Sequence, residues 1–289
     1  MQTIRSCGVE VAGVKIRNPK SAVAQLRAFT LLELLVVIAI LGILAALSVP
    51  ALKNLGKSNV QVSAARQLLD DVGRARQLAI SQHTTVYMVF VPEFFWLPPS
   101  TASTTWTNSL TPTEFTIVVN LLDKQFTGYT FVSLRSVGDQ PGRGVSRYLS
   151  EWKSLPDGAF IAANKFYVTN YITDHVASAT YQVNPFYYST KFPFPVETNL
   201  NAGVSLPYIA FNYLGQLALD DTTLWPSQYE YIPLAQGTVA YAANINKALQ
   251  FAAPDVTENP PGNSTNSMFT VIRIDRLTGR ATQLQQKVQ

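Results

Sequence analysis

The chain has little of what most enzymes and disulfide-stabilised proteins need. Among its 289 residues there is one cysteine, Cys7, and there are two histidines, His83 and His175. A single cysteine excludes an intramolecular disulfide framework and any site built from several cysteines. The sequence also lacks the HExxH, CxxC, GxSxG and GxxxxGK(S/T) patterns of metalloproteases, thiol sites, serine hydrolases and P-loop proteins. We therefore predict no catalytic residue, no metal site and no cofactor.

Charged residues are also few, at 14% of the chain, and their distribution is uneven. Residues 1–28 carry five basic side chains and one acidic side chain, which accounts for the whole formal charge of +4. Residues 29–289 therefore balance 17 basic against 17 acidic side chains. A neutral chain gives no general electrostatic reason to expect nucleic-acid binding. The basic start fits the rule that positive charge stays on the cytoplasmic side of a membrane helix.

One long stretch without charge is strongly apolar and has one acid at its start. Leu34–Leu52 holds 19 uncharged residues, which is long enough to cross a bilayer as one helix. Glu33 precedes it, and an ionised carboxylate at membrane depth is costly unless it has a partner. The combination indicates a membrane protein that polymerises. Two alternatives stay open: an ordinary secretory signal cut near Ala45-Ala46 or Pro50, and an uncleaved membrane anchor.

Residues 28–50 resemble the N-terminus of the type IV pilin and type II secretion pseudopilin family. Ala28 takes the small position before the cut, where the family usually has glycine, and Phe29 is the first mature residue. Glu33 is then the fifth mature residue and Pro50 the twenty-second. The resemblance implies that a prepilin peptidase cuts between Ala28 and Phe29 and methylates the Phe29 amine. It also implies that Glu33 pairs with that amine in a filament of pilin-like subunits, which are single-pass inner-membrane proteins before assembly.

Within this family, the later part of the chain is similar to the pseudopilin H and minor pilin T branch. The similarity rests on the Ser63–His83 helix, which runs into the Thr85–Val91 strand, and on hairpins at Phe211–Gly215 and Val271–Gly279. It implies a structural minor pseudopilin, not an enzyme, in a type II secretion-like pseudopilus for protein export. A minor type IV pilin for adhesion or DNA uptake is one alternative. A secreted soluble protein with an ordinary signal peptide is the other.

The sequence predicts an α+β fold in three parts. Residues 1–28 are the leader, 29–83 a long helix whose residues 29–52 span the membrane, and 84–289 a periplasmic β-rich domain. Apolar residues between Leu55 and Ile80 recur at spacings of three, four or seven. This period predicts that the second half of a helix from about Thr30 to Ser81 packs on the domain. The domain is predicted as a mostly antiparallel, sandwich-like β-sheet with a large insertion at about 93–205.

Runs of β-branched and aromatic residues predict the strands. We expect them at Thr84–Val91, Phe115–Leu122, Thr130–Leu134, Lys165–Thr169, Thr180–Val183, Pro207–Tyr213, Gln216–Leu219, Tyr229–Leu234, Gly237–Ala242 and Met268–Arg276. A short helix is predicted at Val145–Lys153, and a loop at Ala253–Asn266. Glycines in Leu214-Gly215 and Leu277-Thr278-Gly279 predict hairpin turns, because glycine tolerates positive φ.

Two acidic pairs are the remaining candidates for ligand binding. Asp70 and Asp71 are adjacent on a helix and point about 100° apart, so they are not expected to share a ligand. Asp220 and Asp221 follow a strand in a turn, which either binds calcium through carboxylate oxygens or is a solvated turn.

The histidines and the basic C-terminal segment complete the candidates. His83 ends the long helix, where a histidine is ordinary, and His175 has no partner that the sequence nominates. The C-terminal segment sets four basic residues against Asp275, namely Arg273, Arg276, Arg280 and Lys287. Strand alternation explains this pattern as well as a DNA-binding surface does, so DNA is not expected among the partners.

Overall fold

The structure is a computed structural model that describes residues 31–97, 110–136, 138–139, 144–174, 177–197, 203–265 and 269–285, without the side chains of 45–59. The predicted leader, the cut site at Ala28 and Phe29, and His175 lie outside the described residues. By its internal contacts the chain divides into two units, Met1–Ala51 and Leu52–Gln289.

The helices are α1 (Leu31–Gln82), α2 (Pro112–Val119) and α3 (Asn164–Tyr167), and a 3₁₀ turn covers Leu122–Lys124. The strands are β1 (Val86–Phe90), β2 (Gly128–Ser133), β3 (Arg147–Tyr148), β4 (Lys153–Ser154), β5 (Ala159–Ile161), β6 (Asn170–Asp174), β7 (Ala179–Val183), β8 (Lys191–Phe192), β9 (Val204–Ser205), β10 (Tyr208–Phe211), β11 (Leu217–Ala218), β12 (Tyr229–Ala240), β13 (Asp255–Glu258), β14 (Thr270–Asp275) and β15 (Ala281–Gln285).

Helix α1 confirms the long helix expected from about Thr30 to Ser81. Its 52 residues continue through Pro50 and Gly56 as one helix. Within the described residues, no helix combines the length and the apolar character needed to cross a membrane. The membrane span predicted over residues 29–52 is therefore unconfirmed.

The first sheet has β1 at its centre. Its strand order is β11-β10-β1-β2-β3, with β4 also paired to β2, and every pair is antiparallel. Strand β1 confirms the strand predicted at Thr84–Val91, and all five of its residues are buried, so both faces of the strand are covered. Something must therefore cover each side of this sheet.

Helix α1 covers one face and the predicted insertion covers the other. On the first face, Val86, Met88 and Phe90 share a core with buried residues of α1, which are Ala64, Ala65, Leu68, Val72, Ala75 and Ala79. Their spacing confirms the amphipathic period. On the opposite face, Tyr87 and Val89 pack with buried residues of the 93–205 region, among them Phe95, Trp96, Val118, Phe192 and Phe194. The insertion is thus an integral layer of the domain.

A second antiparallel sheet shares the core of α1. Its order is β13-β12-β14-β15, with β5 paired to β12. Ile232 and Leu234 of β12 and Ile272 and Ile274 of β14 join the cluster that contains the α1 alanines. Two hairpins, β6-β7 and β8-β9, complete the pairing among the described strands. The predicted α+β class with mostly antiparallel sheets is confirmed.

Three predicted elements have the wrong type. The strand expected at Phe115–Leu122 is helix α2, because Thr111 caps the helix by accepting a hydrogen bond from the Glu114 N–H and Glu114 reciprocates. The helix expected at Val145–Lys153 is strands β3 and β4, which satisfy backbone groups along β2. The strand expected at Lys165–Thr169 is the short helix α3, in which the consecutive residues Lys165 and Phe166 are both buried.

The hairpin turns were predicted correctly, whereas some boundaries were not. Gly215 and Gly279 have φ of 76° and 60°, as the turn predictions require. The strands expected at Tyr229–Leu234 and Gly237–Ala242 are one strand, β12. The loop expected at Ala253–Asn266 contains β13, which pairs with the far end of β12. Strands β5, β6, β8 and β9 were not predicted.

Candidate functional site

The first half of α1 presents apolar side chains on every side of the helix. All residues from Leu31 to Leu44 are exposed, from 82% for Leu31 down to 44% for Val37 among the large hydrophobic side chains. Glu33 lies in the first helical turn, where a negative charge is favourable beside the unpaired backbone N–H groups. The structure therefore places the predicted assembly residue at the start of an exposed apolar helix.

Such an apolar surface requires a cover. Soluble monomers rarely expose contiguous apolar patches larger than a few hundred Å², and a helix that is apolar all round is normally buried. The side chains of Leu31–Leu44 are nevertheless exposed. The segment can be covered by lipid, by copies of the same helix, or by both in succession.

The second half of α1 is held to the sheet by a polar network that the sequence did not reveal. The Tyr129 hydroxyl donates to Asp71 Oδ2 at 2.6 Å, and Lys153 Nζ donates to Asp71 Oδ1 at 2.5 Å. Gln67 Nε2 donates to the Tyr129 hydroxyl at 2.8 Å and to the Ser154 carbonyl at 2.9 Å. Burial, followed by the bond to Asp71, raises the pKa of Tyr129. The network joins α1 to β2 and β4.

A single arginine holds both predicted hairpin turns against α1. Arg76 Nε donates to the carbonyl oxygens of Gly215 at 3.2 Å and Thr278 at 2.7 Å. A Cβ on Gly279 would overlap the Gly215 carbonyl oxygen, so glycine is needed there for close approach as well as for positive φ. The two turns and the helix therefore form one packed corner of the domain.

A buried ion pair connects α3 with the second sheet. The side chain of Lys165 is 0% exposed and that of Glu230 is 3% exposed, and Lys165 Nζ donates to Glu230 Oε1. Lys165 also donates to the Asn184 carbonyl at 2.5 Å, and Trp225 Nε1 donates to Glu230 Oε2 at 3.1 Å. Burial lowers the pKa of Lys165 and raises that of Glu230, and their mutual attraction opposes both shifts. The pair lies inside the core, where substrate has no access.

The two members of each acidic pair have different surroundings and do not share a ligand site among the described residues. Asp71 is buried in the network described above, whereas Asp70 is exposed. Asp220 accepts hydrogen bonds from the N–H groups of Thr222 at 2.8 Å and Thr223 at 2.7 Å, and these bonds lower its pKa. Asp221 Oδ2 lies 4.0 Å from Arg135 Nη1. Within the described residues no cluster of three His, Cys, Asp or Glu side chains could hold a metal.

Two of the candidate basic residues also have structural contacts. The Arg273 guanidinium lies 4.9 Å above the Tyr229 ring, and Arg276 Nη1 donates to the Trp225 carbonyl at 3.4 Å. Arg280 is exposed, and Lys287 lies outside the described residues. His83 follows α1 as an exposed residue with φ of 50°.

The described residues thus contain a long helix with an exposed apolar N-terminal half, an acid in its first turn and two antiparallel β-sheets. Residues 26–49 match the family model described as the prokaryotic N-terminal methylation motif. The matched residues include Ala28, Phe29 and Glu33. The match supports a type IV pilin-like family and implies processing by a prepilin peptidase and assembly with other pilin subunits. No curated protein and no solved structure matches the chain.

Proposed function

We propose that the protein is a structural, non-catalytic minor pseudopilin of a type II secretion-like apparatus. In this proposal a prepilin peptidase cuts between Ala28 and Phe29 and methylates the new amine. The mature subunit waits in the inner membrane and then joins a pseudopilus through the first half of α1. The exposed apolar surface of Leu31–Leu44 is the observation that carries the proposal, because it needs lipid before assembly and neighbouring helices after it.

Glu33 acts as the partner of a neighbour's N-terminus. An N-terminal amine such as that of Phe29 is cationic near neutral pH. When α1 leaves the lipid headgroup region, a carboxylate and an amine that lack partners each carry a large desolvation cost. Pairing Glu33 of one subunit with the amine of the next offsets this cost and sets the axial offset between subunits. The ion pair would fix the position of each subunit along the filament axis, and no covalent bond is made or broken during assembly.

The mature N-terminus, measured by peptide mass spectrometry on protein from the native host, tests the processing step. A peptide that begins at N-methylated Phe29 supports the proposal. A start after residue 45 indicates an ordinary secretory signal and contradicts it. An intact leader contradicts the processing step, and it indicates either a plain membrane anchor or a peptidase that does not accept Ala28 at the cut site.

A charge-neutral replacement tests the assembly step separately. We expect Glu33→Gln to retain cleavage and membrane insertion but to reduce recovery in filaments by at least about tenfold. The substitution would leave the Phe29 amine of the neighbouring subunit buried without its anion, and breaking a buried ion pair in this way costs about 3–5 kcal/mol. Asp70→Asn is the matched control, because Asp70 is an exposed acid on the same helix. Filament recovery equal to that of the unmodified protein would contradict a pairing role for Glu33.

Deletion of the chain from its host separates the pseudopilus from a surface pilus. Loss of exported enzymes from the medium, with surface filaments retained, supports the secretion role. Loss of adhesion or DNA uptake, with secretion retained, supports a minor type IV pilin instead. We favour secretion because Arg273 and Arg276, the core of the candidate DNA-binding segment, have contacts within the domain.

A further inference from the structure

An open groove crosses the surface of the 93–205 insertion. Its volume is about 920 Å³, and three segments line it. These segments are the first turns of α2, the stretch from Tyr148 to Trp152 that joins β3 to β4, and Pro195–Glu197. We name it the insertion groove. All of its lining residues belong to the insertion, so it is separate from the α1 segment that carries the proposed assembly function.

The floor of the insertion groove is apolar, and contacts with buried residues fix its aromatic rings. The Tyr148 hydroxyl donates to the Pro193 carbonyl at 2.7 Å, which orients the ring. The Trp152 ring packs edge-on against Phe194, with centroids 5.8 Å apart, and Phe194 is fully buried. Leu149 and other apolar side chains complete the floor. A preformed apolar floor lowers the cost of ordering the site when a ligand binds.

The rim of the insertion groove is acidic. Glu114, Glu151 and Glu197 line it, and no lysine or arginine is among the lining residues that the structure describes. Glu151 and Glu197 are exposed. Glu197 Oε2 accepts a hydrogen bond from the Tyr148 N–H at 3.2 Å, which fixes one carboxylate at the edge of the floor. Carboxylates of one sign around a concave apolar surface concentrate a negative potential there.

We propose that the insertion groove binds an extended peptide segment of a partner protein in which lysine or arginine alternates with apolar residues. Alternate side chains of an extended peptide point in opposite directions, so apolar ones contact the floor while basic ones reach the rim. Charge complementarity selects this occupant, because acidic peptides, nucleic acids and anionic glycans would be repelled by the three carboxylates. Within the proposed pseudopilin role such a partner is another component of the apparatus or an exported protein, but the binding chemistry does not depend on filament assembly.

The test uses the full chain in non-ionic detergent and three labelled pentapeptides. The peptides alternate valine with lysine, with glutamine or with glutamate, and fluorescence anisotropy reports their binding. We expect only the lysine peptide to bind, and we expect its affinity to fall as salt rises because the rim is exposed to solvent. Micelles without protein show how much of the signal is due to detergent.

Two variants locate the bound peptide. Glu151→Gln with Glu197→Gln should weaken the lysine peptide by about tenfold, which corresponds to a total of about 1.4 kcal/mol for two solvent-exposed ion pairs. Thr113→Arg, which introduces a cation at an exposed lining position, should weaken it without removing an acid. Asp70→Asn removes an exposed acid elsewhere and should leave binding unchanged.

Three results would overturn the proposal. The first is equal binding of all three peptides. The second is undiminished binding by both groove variants, which would place the peptide elsewhere. The third is failure of the lysine peptide to bind at about 1 mM, which corresponds to less than about 4 kcal/mol of affinity. Thermal unfolding of each variant confirms that the domain remains folded, so that a loss of affinity reports on the groove itself.

Discussion

Replacing Lys165 with methionine is expected to destabilise the domain strongly, because it leaves a buried carboxylate without its cation. The Glu230 side chain is 3% exposed, and after the change its described donor would be the Trp225 indole N–H. Removing one partner of a buried pair typically costs about 3–5 kcal/mol. For a unit as large as Leu52–Gln289, this corresponds to a fall in Tm of about 6–20 °C.

The second variant isolates the charge. Lys165→Met combined with Glu230→Gln removes the carboxylate charge but keeps an acceptor for Trp225, so it should recover most of the lost stability. Thermal unfolding of the full chain in detergent, followed by near-ultraviolet circular dichroism, measures the unmodified protein, Lys165→Met, Glu230→Gln and the double variant. A double variant as unstable as the sum of the two single variants would refute the reasoning, as would an unchanged Tm for Lys165→Met alone.

The pH dependence of the same variant provides an independent check. Burial raises the pKa of Glu230, and the attraction of Lys165 opposes that rise. Without Lys165 the pKa rises further. A carboxyl group whose folded pKa lies above its unfolded value contributes stability below the unfolded pKa and loses it as pH rises through the folded pKa. The deficit of Lys165→Met relative to the unmodified protein should therefore be larger at about pH 8 than at about pH 5. A deficit that does not change with pH would contradict a role for the buried charge.

Other substitutions in the domain are expected to lower or to raise the free energy of unfolding. Tyr129→Phe should cost about 1.5–3 kcal/mol, because it removes a buried hydrogen bond to the Asp71 carboxylate, while Tyr213→Phe at a 50% exposed position should cost almost nothing. Gly279→Ala should destabilise by more than about 2 kcal/mol through positive φ and backbone overlap. Gly73→Ala, on the exposed face of α1 with open space at the Cβ position, should stabilise by about 0.5–1 kcal/mol. Chemical denaturation measures each change, and a stable Gly279→Ala or an unstable Gly73→Ala would contradict these packing arguments.

Features that depend on neighbouring residues were predictable from the sequence. These features are the helical period of α1, the apolar strand β1 and the glycine turns at Gly215 and Gly279. All of them arise from interactions within a few residues. The N-terminal motif is similarly local, and the family match over residues 26–49 includes it. Cleavage at Ala28 and the role of Glu33 remain predictions.

Helix α2 had a local sequence signal, its capping box, but the strand prediction gave more weight to β-propensity. The apolar, β-branched run from Phe115 favoured a strand, yet Thr111-Pro112-Thr113-Glu114 contains a capping box with proline in the first helical turn. Caps satisfy backbone groups that a strand would have to satisfy with a partner. Weighing the cap above β-propensity would have predicted this helix.

The polar contacts inside the domain had no comparable signal. Tyr129 and Asp71 are 58 residues apart in sequence, and Lys165 and Glu230 are 65 apart. Each residue alone is an ordinary polar residue in an amphipathic or mixed segment. Only the packing of α1 on β2, and of α3 on β12, brings the two members of each pair together.

The sequence by itself determined the uncharged apolar run that follows Glu33, the long helix and the α+β class, because charge placement, helical period and turn chemistry are local properties of the chain. Tertiary structure alone decided that the 93–205 insertion covers the second face of the central sheet and that three of its segments enclose the insertion groove. Those arrangements depend on which distant apolar surfaces meet and exclude water, and burial of apolar surface is non-directional. The same composition permits many pairings until the complete core selects one.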